Sequence, residues 1–136
     1  MATPHTLIDT TIFIDHLRKQ NKRKSLLYHL IDIHILYTAT MVEFELFAGA
    51  TDNRKYQDVQ DVLQSCYVLP LTSDIAQRAA TIYQDLKHKN EMIEIRDILI
   101  AATALIEHLP VMTFNITHFQ RIDGLTLLPL PLSYSA

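Results

Sequence analysis

"LIDTTIFIDHLR", residues 7–18, is the stretch on which the reading of the chain turns. An apolar pair, Leu7 and Ile8, stops at Asp9; two threonines follow, and Ile12, Phe13 and Ile14 are apolar again. This reads as a short buried strand over residues 5–9 feeding a helix over 11–20. Asp9 then poses a chemical question. An ionised carboxylate out of water is costly unless something compensates it. Either Asp9 caps the helix, or it holds something positive.

The same alternation continues outward from this stretch. "KSLLYHLI" (24–31) is expected to be helical, with Leu26, Leu27, Leu30 and Ile31 on one side, and "HILYTA" (34–39) to be a second strand. "VEFELFAGA" (42–50) begins a helix that stops near Gly49. "NRKYQDVQDVLQSC" (53–66) places Tyr56, Val59, Val62, Leu63 and Cys66 at helical spacing, and "YVLPL" (67–71) is a strand. Thr72 or Ser73 caps a long helix with Ile75, Ala76, Ala79, Ile82, Tyr83 and Leu86 inward. "RDILIAATALIEH" (96–108) is apolar nearly all round and is expected to be the most buried helix. "VMTF" (111–114) and "LTLLPL" (125–130) are the last strands. Strands separated by helices imply right-handed crossovers and a mostly parallel sheet covered on both faces. The expected fold class is therefore α/β. In such sheets functional groups gather beyond the carboxyl ends of the strands, where Asp9 and Asn115 both fall.

Bulk properties narrow the function. The chain has 136 residues, 49% of them apolar, which suits one domain with one core. No apolar stretch approaches a membrane span, and the N-terminus lacks the pattern of a secretory signal. The single cysteine, Cys66, has no intrachain partner for a disulfide. These features point to a cytoplasmic setting. The net charge of −3 gives no overall positive field for nucleic acid. "RKQNKRK" (18–24) nevertheless holds five basic residues and no acid, and reads as a solvated helix end and loop or as a phosphate contact. Two glycines, Gly49 and Gly124, are too few for a phosphate-cradling loop or a dinucleotide fingerprint. The seven histidines show no zinc spacing, and Cys66 reads as packing.

Two further acids share the oddity of Asp9. Asp97 opens the most apolar helix, and Glu45 lies among Phe44, Leu46 and Phe47. Singly, each has a plain explanation: a helix cap for Asp9, a helix-dipole partner for Asp97, a solvent-facing acid for Glu45. Together they would repel, by roughly 4 kcal/mol for a pair about 4 Å apart at an effective dielectric of about 20. Protonation or a bound cation relieves that. Hard oxygen donors without cysteine or paired histidines favour Mg²⁺ or Mn²⁺ over Zn²⁺.

Four segments in this order resemble the PIN-domain ribonucleases, specifically the VapC-type toxins of prokaryotic toxin–antitoxin pairs. "LIDTTIFIDHLR" is similar to the family's opening Asp-Thr motif, "EFELFAGA" to its Glu-Leu-x-x-Gly motif, and "DILIAATAL" to its Asp-x-x-Ile-Ala-Ala helix. "TFNITHF" with "IDGLTLLPL" is similar to its closing strand, loop and strand. The resemblance covers nearly the whole chain. It implies a single PIN domain over residues 1–136, a three-layer α/β/α fold with a mostly parallel central sheet of about four to five strands, and metal-dependent hydrolysis of RNA. It assigns the metal-binding acids to Asp9, Glu45 and Asp97, and Mg²⁺ or Mn²⁺ as the ion. A fourth acid of the family corresponds to Asn115, which can accept through its carbonyl but brings no charge. Asn115 thus joins the catalytic set while a second metal loses support.

Glu43, Glu94 and His118 are rivals or neighbours of that set, and Thr10 and Thr113 are candidate supporting hydroxyls. The resemblance also implies a cognate antitoxin and a homodimer or a toxin–antitoxin hetero-oligomer. The stripe Leu26, Leu27, Leu30 and Ile31 is then either core or part of a groove for an antitoxin helix. Two other readings stay open. One is a catalytically weak PIN-fold partner that helps an antitoxin bind DNA; the other is a PIN-like nuclease of RNA processing.

Overall fold

The computed structural model describes residues 2–134. β1 (His5–Ile8), β2 (Ile35–Ala39), β3 (Tyr67–Leu69) and β4 (Val111–Met112) form one parallel sheet in the order β3-β2-β1-β4. Between them run α1 (Thr10–Arg18), α2 (Leu26–Ile31), α3 (Thr40–Ala48), α4 (Asn53–Leu63), α5 (Ser73–His88) and α6 (Ile95–Ile106), with a short α7 (Ile116–Phe119) after β4. The chain steps from β1 to β2 to β3 in one direction and then returns to add β4 on the far side of β1. With right-handed crossovers this puts α1 to α4 on one face and α5 and α6 on the other. The expected three-layer α/β fold is what forms.

The topology also locates a crevice. β1 and β4 are neighbours whose connections leave in opposite directions, so the carboxyl ends of these two strands border the switch point of the sheet. Asp9 follows β1 and Thr113 follows β4. The Asp9 amide donates to the Met112 carbonyl at 3.1 Å and fixes the register there.

Buried apolar side chains on both faces of the sheet make the core. Leu7, Ile8, Ile12 and Phe13 are fully buried, as are Ile100, Ala101, Ala102 and Ala104 of α6. α6 is thus the central helix that its composition predicts, although Ile95 in its first turn is exposed. Ser25 caps α2 by accepting from the Tyr28 amide at 3.1 Å, and Thr72 rather than Ser73 caps α5, accepting from the Ile75 amide at 3.3 Å.

Several details differ from the sequence reading. α1 is Thr10–Arg18 rather than 11–20, because Asp9 leaves β1 to become its N-cap. "LTLLPL" is not a strand: Leu127 makes only an isolated parallel bridge to Val111, and prolines at 129 and 131 interrupt any longer ladder. Ala76 and Tyr83 of α5 face solvent, and Tyr56 of α4 is exposed, so the buried stripes of both helices are narrower than expected. Leu26, Leu27 and Leu30 are core residues at 1%, 0% and 2% exposure, which removes them from any surface groove; only Ile31 is open, at 40%. Gly49 does follow α3, but with φ −86°, so it ends the helix without the left-handed turn.

Candidate active site

Asp9 is buried, at 2% exposure, and every hydrogen bond described for its side chain falls on Oδ2. Thr113 Oγ1 donates at 2.7 Å and Thr11 Oγ1 at 2.9 Å, while the Thr11 amide is a long 3.5 Å away. A hydroxyl has one proton to give, and both are spent on this carboxylate. The lone pairs of the same hydroxyls accept from backbone: Phe114 N–H reaches Thr11 at 3.0 Å, and Asn115 N–H reaches Thr113 at 2.8 Å. The end of β4 therefore fixes the rotamer of an acid at the end of β1. Burial pushes the Asp9 carboxyl above its ordinary range, and the nearby charge of Asp97 adds to the rise; the hydroxyls of Thr113 and Thr11 pull the other way.

Glu45 projects from α3 beside it. Thr10 Oγ1 donates to Oε1 at 3.0 Å, and Arg96 Nη1 lies 3.1 Å from Oε2. Burial raises this carboxyl too, against the Thr10 hydrogen bond and the Arg96 charge, and both Asp9 and Asp97 push it further up. The three acids thus share one electrostatic neighbourhood.

Asp97 sits in the first turn of α6, where the helix dipole favours a negative charge. Its Oδ2 lies 3.0 Å from His118 Nδ1 and 3.3 Å from Asn115 Nδ2, and those two nitrogens are 2.8 Å apart. His118 Nδ1 can donate to Asp97 or accept from Asn115, but not both at once. Asn115 turns its amide nitrogen, not its carbonyl, to this cluster.

The remaining candidates fall to the sides. Glu94 pairs with Arg96 and is more than half exposed. Glu43 bears on Cys66, whose thiol is pushed up to about 12 by burial, with Glu43 adding to it. A thiol held protonated there is no nucleophile. Thr10 and Thr113 stand where the sequence reading puts supporting hydroxyls. Thr11 and Arg96 were missed. The second threonine of "DTT" and the basic residue directly before Asp97 were the available signals.

The donor chemistry fits a hard divalent cation: carboxylate oxygens, no sulfur, and neighbouring negative charges that add to the rise of the Asp9 and Glu45 carboxyls. It is not a closed cage. Among the described residues, no three His, Cys, Asp or Glu side chains stand close enough to hold one ion as they are placed. Glu45 Oε2 is engaged by Arg96, and Asp97 Oδ2 by His118 and Asn115.

Fold and site together define an α/β domain with an acidic crevice at the switch point of a parallel sheet. A family model described as PIN domain matches residues 6–125, and the chain belongs to that family. It is 32% identical over 120 residues to Ribonuclease VapC19 of Mycobacterium tuberculosis, covering 88% of this chain and 95% of the relative. It is 28% identical over 116 residues to Ribonuclease VapC1 of Methanocaldococcus jannaschii, covering 85% and 79%. Its fold matches a chain in the crystal structure of VapBC2 from Rickettsia felis bound to a DNA fragment from their promoter. The TM-score is 0.77 at 21% identity, over 93% of this chain and 99% of that one.

Proposed function

We propose that this protein is a metal-dependent endoribonuclease toxin of a type II toxin–antitoxin pair, which hydrolyses RNA phosphodiester bonds. The observation that carries the reading is the gathering of Asp9, Glu45 and Asp97 at the switch point of a PIN domain, in a chain related to ribonucleases along most of its length. In this reading residues 1–136 act as one PIN domain, and the three carboxylates hold Mg²⁺ or Mn²⁺. When bound, the ion supplies a water of lowered pKa and stabilises charge on the phosphoryl and leaving oxygens.

The chain's own residues prepare that site. Thr11 and Thr113 fix Asp9 through Oδ2, which leaves Oδ1 for the cation. Thr10 orients Glu45, and Asn115 and His118 steer Asp97. A depression lined by Thr11, Ile14, Asp15, Arg18, Lys19 and Phe114 adjoins the site. The first two residues of the basic run thus stand where an RNA backbone would approach the acids.

A cognate antitoxin is the proposed protein partner, and the proposed setting is the cytoplasm, as a homodimer or as a toxin–antitoxin hetero-oligomer. No helix among the described residues is long and apolar enough to cross a membrane.

The test is incubation of purified protein with a mixed tRNA and rRNA pool, in Mg²⁺, in Mn²⁺ and in EDTA, with Asp9→Ala as control. Cleavage that needs both the ion and Asp9 is expected. Folded protein, freed of any copurified antitoxin, that cleaves nothing would contradict the reading and favour a non-catalytic role beside a DNA-binding antitoxin.

A further inference from the structure

Arg96 is the one guanidinium or ammonium group ion-paired with an acid of the cluster, among the described residues. Its fork is divided between two carboxylates of different character. Nη1 lies 3.1 Å from Oε2 of Glu45, whose side chain is only 15% exposed. Nε, at 3.1 Å, and Nη2 both reach Oε2 of Glu94, whose side chain is 56% exposed. The Arg96 side chain is itself half exposed, and its backbone adjoins Asp97 in the first turn of α6. One arm of the guanidinium therefore neutralises the cluster while the other is moored outside it.

We propose that Arg96 is the resident counter-cation of the acid cluster and a phosphate-binding residue of the site, and that a divalent cation displaces it from Glu45. The inference rests on the nuclease reading above. A carboxylate oxygen already engaged by a guanidinium is a poorer ligand, and two cations drawn to one oxygen repel. The arriving ion and Nη1 therefore compete for Glu45. Once Nη1 is released, the Glu94 contacts keep the guanidinium within reach of the crevice rather than letting it swing into solvent. A planar, always-charged group with unsatisfied N–H donors suits a phosphate oxygen pair better than an ammonium does. The same residue thus offsets charge repulsion before the ion arrives and meets the substrate's charge afterwards.

Two readouts of opposite sign test this. Isothermal titration of full-length protein with Mn²⁺ should give about five-fold tighter binding for Arg96→Gln than for wild type, because the competing half-exposed ion pair is gone. Steady-state cleavage of a single-stranded RNA at saturating Mn²⁺ should give at least about ten-fold lower kcat/KM for the same variant, because a charged phosphate contact is lost. Arg96→Lys keeps the charge but not the fork. It should bind Mn²⁺ as wild type does and still lose kcat/KM.

A residue that only braces α3 against α6 would weaken both quantities in Arg96→Gln. Unchanged or weaker Mn²⁺ binding overturns the counter-cation role, and tighter binding with unchanged kcat/KM overturns the phosphate role. Wild-type protein that neither binds Mn²⁺ nor cleaves RNA overturns the nuclease reading and this inference with it.

Discussion

Replacing Thr113 by valine isolates the device that holds Asp9. Valine has nearly the shape of threonine, so at a site 2% exposed the packing is preserved and only the hydroxyl is lost. That hydroxyl donates to Asp9 Oδ2 at 2.7 Å and accepts from the Asn115 amide at 2.8 Å. A hydrogen bond to a charged group contributes about 1.5–3 kcal/mol, and the Asn115 amide, left half-buried, adds to the loss. The expected destabilisation is about 2–3 kcal/mol. With an unfolding entropy of about 2 cal/mol/K per residue, that is a fall of about 7–10 °C in Tm for this chain.

The loss should depend on pH with a definite sign. The hydroxyl favours the ionised form of Asp9, so its removal lets burial raise the folded-state pKa further. The deficit is therefore complete above the variant's folded-state pKa, shrinks as the pH falls from there to the wild-type value, and changes no further below it, where Asp9 is protonated in both proteins. Urea unfolding without divalent ions, from about pH 4 to about pH 8, measures it, with Thr113→Ser as the rescue. A deficit under about 0.5 kcal/mol at neutral pH, or one that stays constant with pH, would mean that the Thr113 hydroxyl does not hold the Asp9 charge.

Asp9→Asn should remove cleavage and, without metal, make the protein more stable at neutral pH. The folded-state pKa of Asp9 lies above its ordinary value of 3.8, so the cost of burying its charge is absent below that value and complete above the folded one. The gain should accordingly vanish in acid, and paired unfolding curves will show whether it does. Asp97→Asn should abolish cleavage while melting no lower than wild type in EDTA. A large drop in its Tm would make Asp97 a helix-dipole residue first and a ligand second. Leu27→Ala should cost about 2–5 kcal/mol, as expected for a side chain at 0% exposure. Unchanged stability with weakened antitoxin binding would instead return that stripe to a binding groove.

The layered fold was readable because its signals are local: apolar runs too short for helices, a capping residue at Thr72, and helical spacing within the segments between the strands. The failures have a common cause. "LTLLPL" has strand composition, but whether a segment pairs depends on a partner edge, and only Leu127 finds one. Ala76 and Tyr83 fit an apolar stripe, yet the width of that stripe is set by what packs against α5. The question posed by Asp9 had two answers, and the structure shows the first of them, with more distant partners than a cap requires. Asp9 is the N-cap of α1, but at 3.5 Å its bond to the Thr11 amide is the weakest of its contacts, and the hydroxyls of Thr11 and Thr113 hold it more closely. Thr113 is 104 residues away in sequence, which no local pattern reveals. Arg96 was passed over for the opposite reason. A basic residue beside an acid looks like ordinary surface charge until the fold brings Glu45 to it.

The proposed function requires one cation held by carboxylates from the end of β1, from α3 and from the start of α6. Crystals soaked in Mn²⁺ and measured at the manganese absorption edge locate such an ion without reference to activity. The expected result is an anomalous peak within about 2.2 Å of carboxylate oxygens of Asp9 and Asp97, with Glu45 completing the set directly or through water and Arg96 withdrawn from it. A peak elsewhere on the molecule, or a fully ordered acid cluster with Arg96 still on Glu45 and no peak at saturating Mn²⁺, would contradict it.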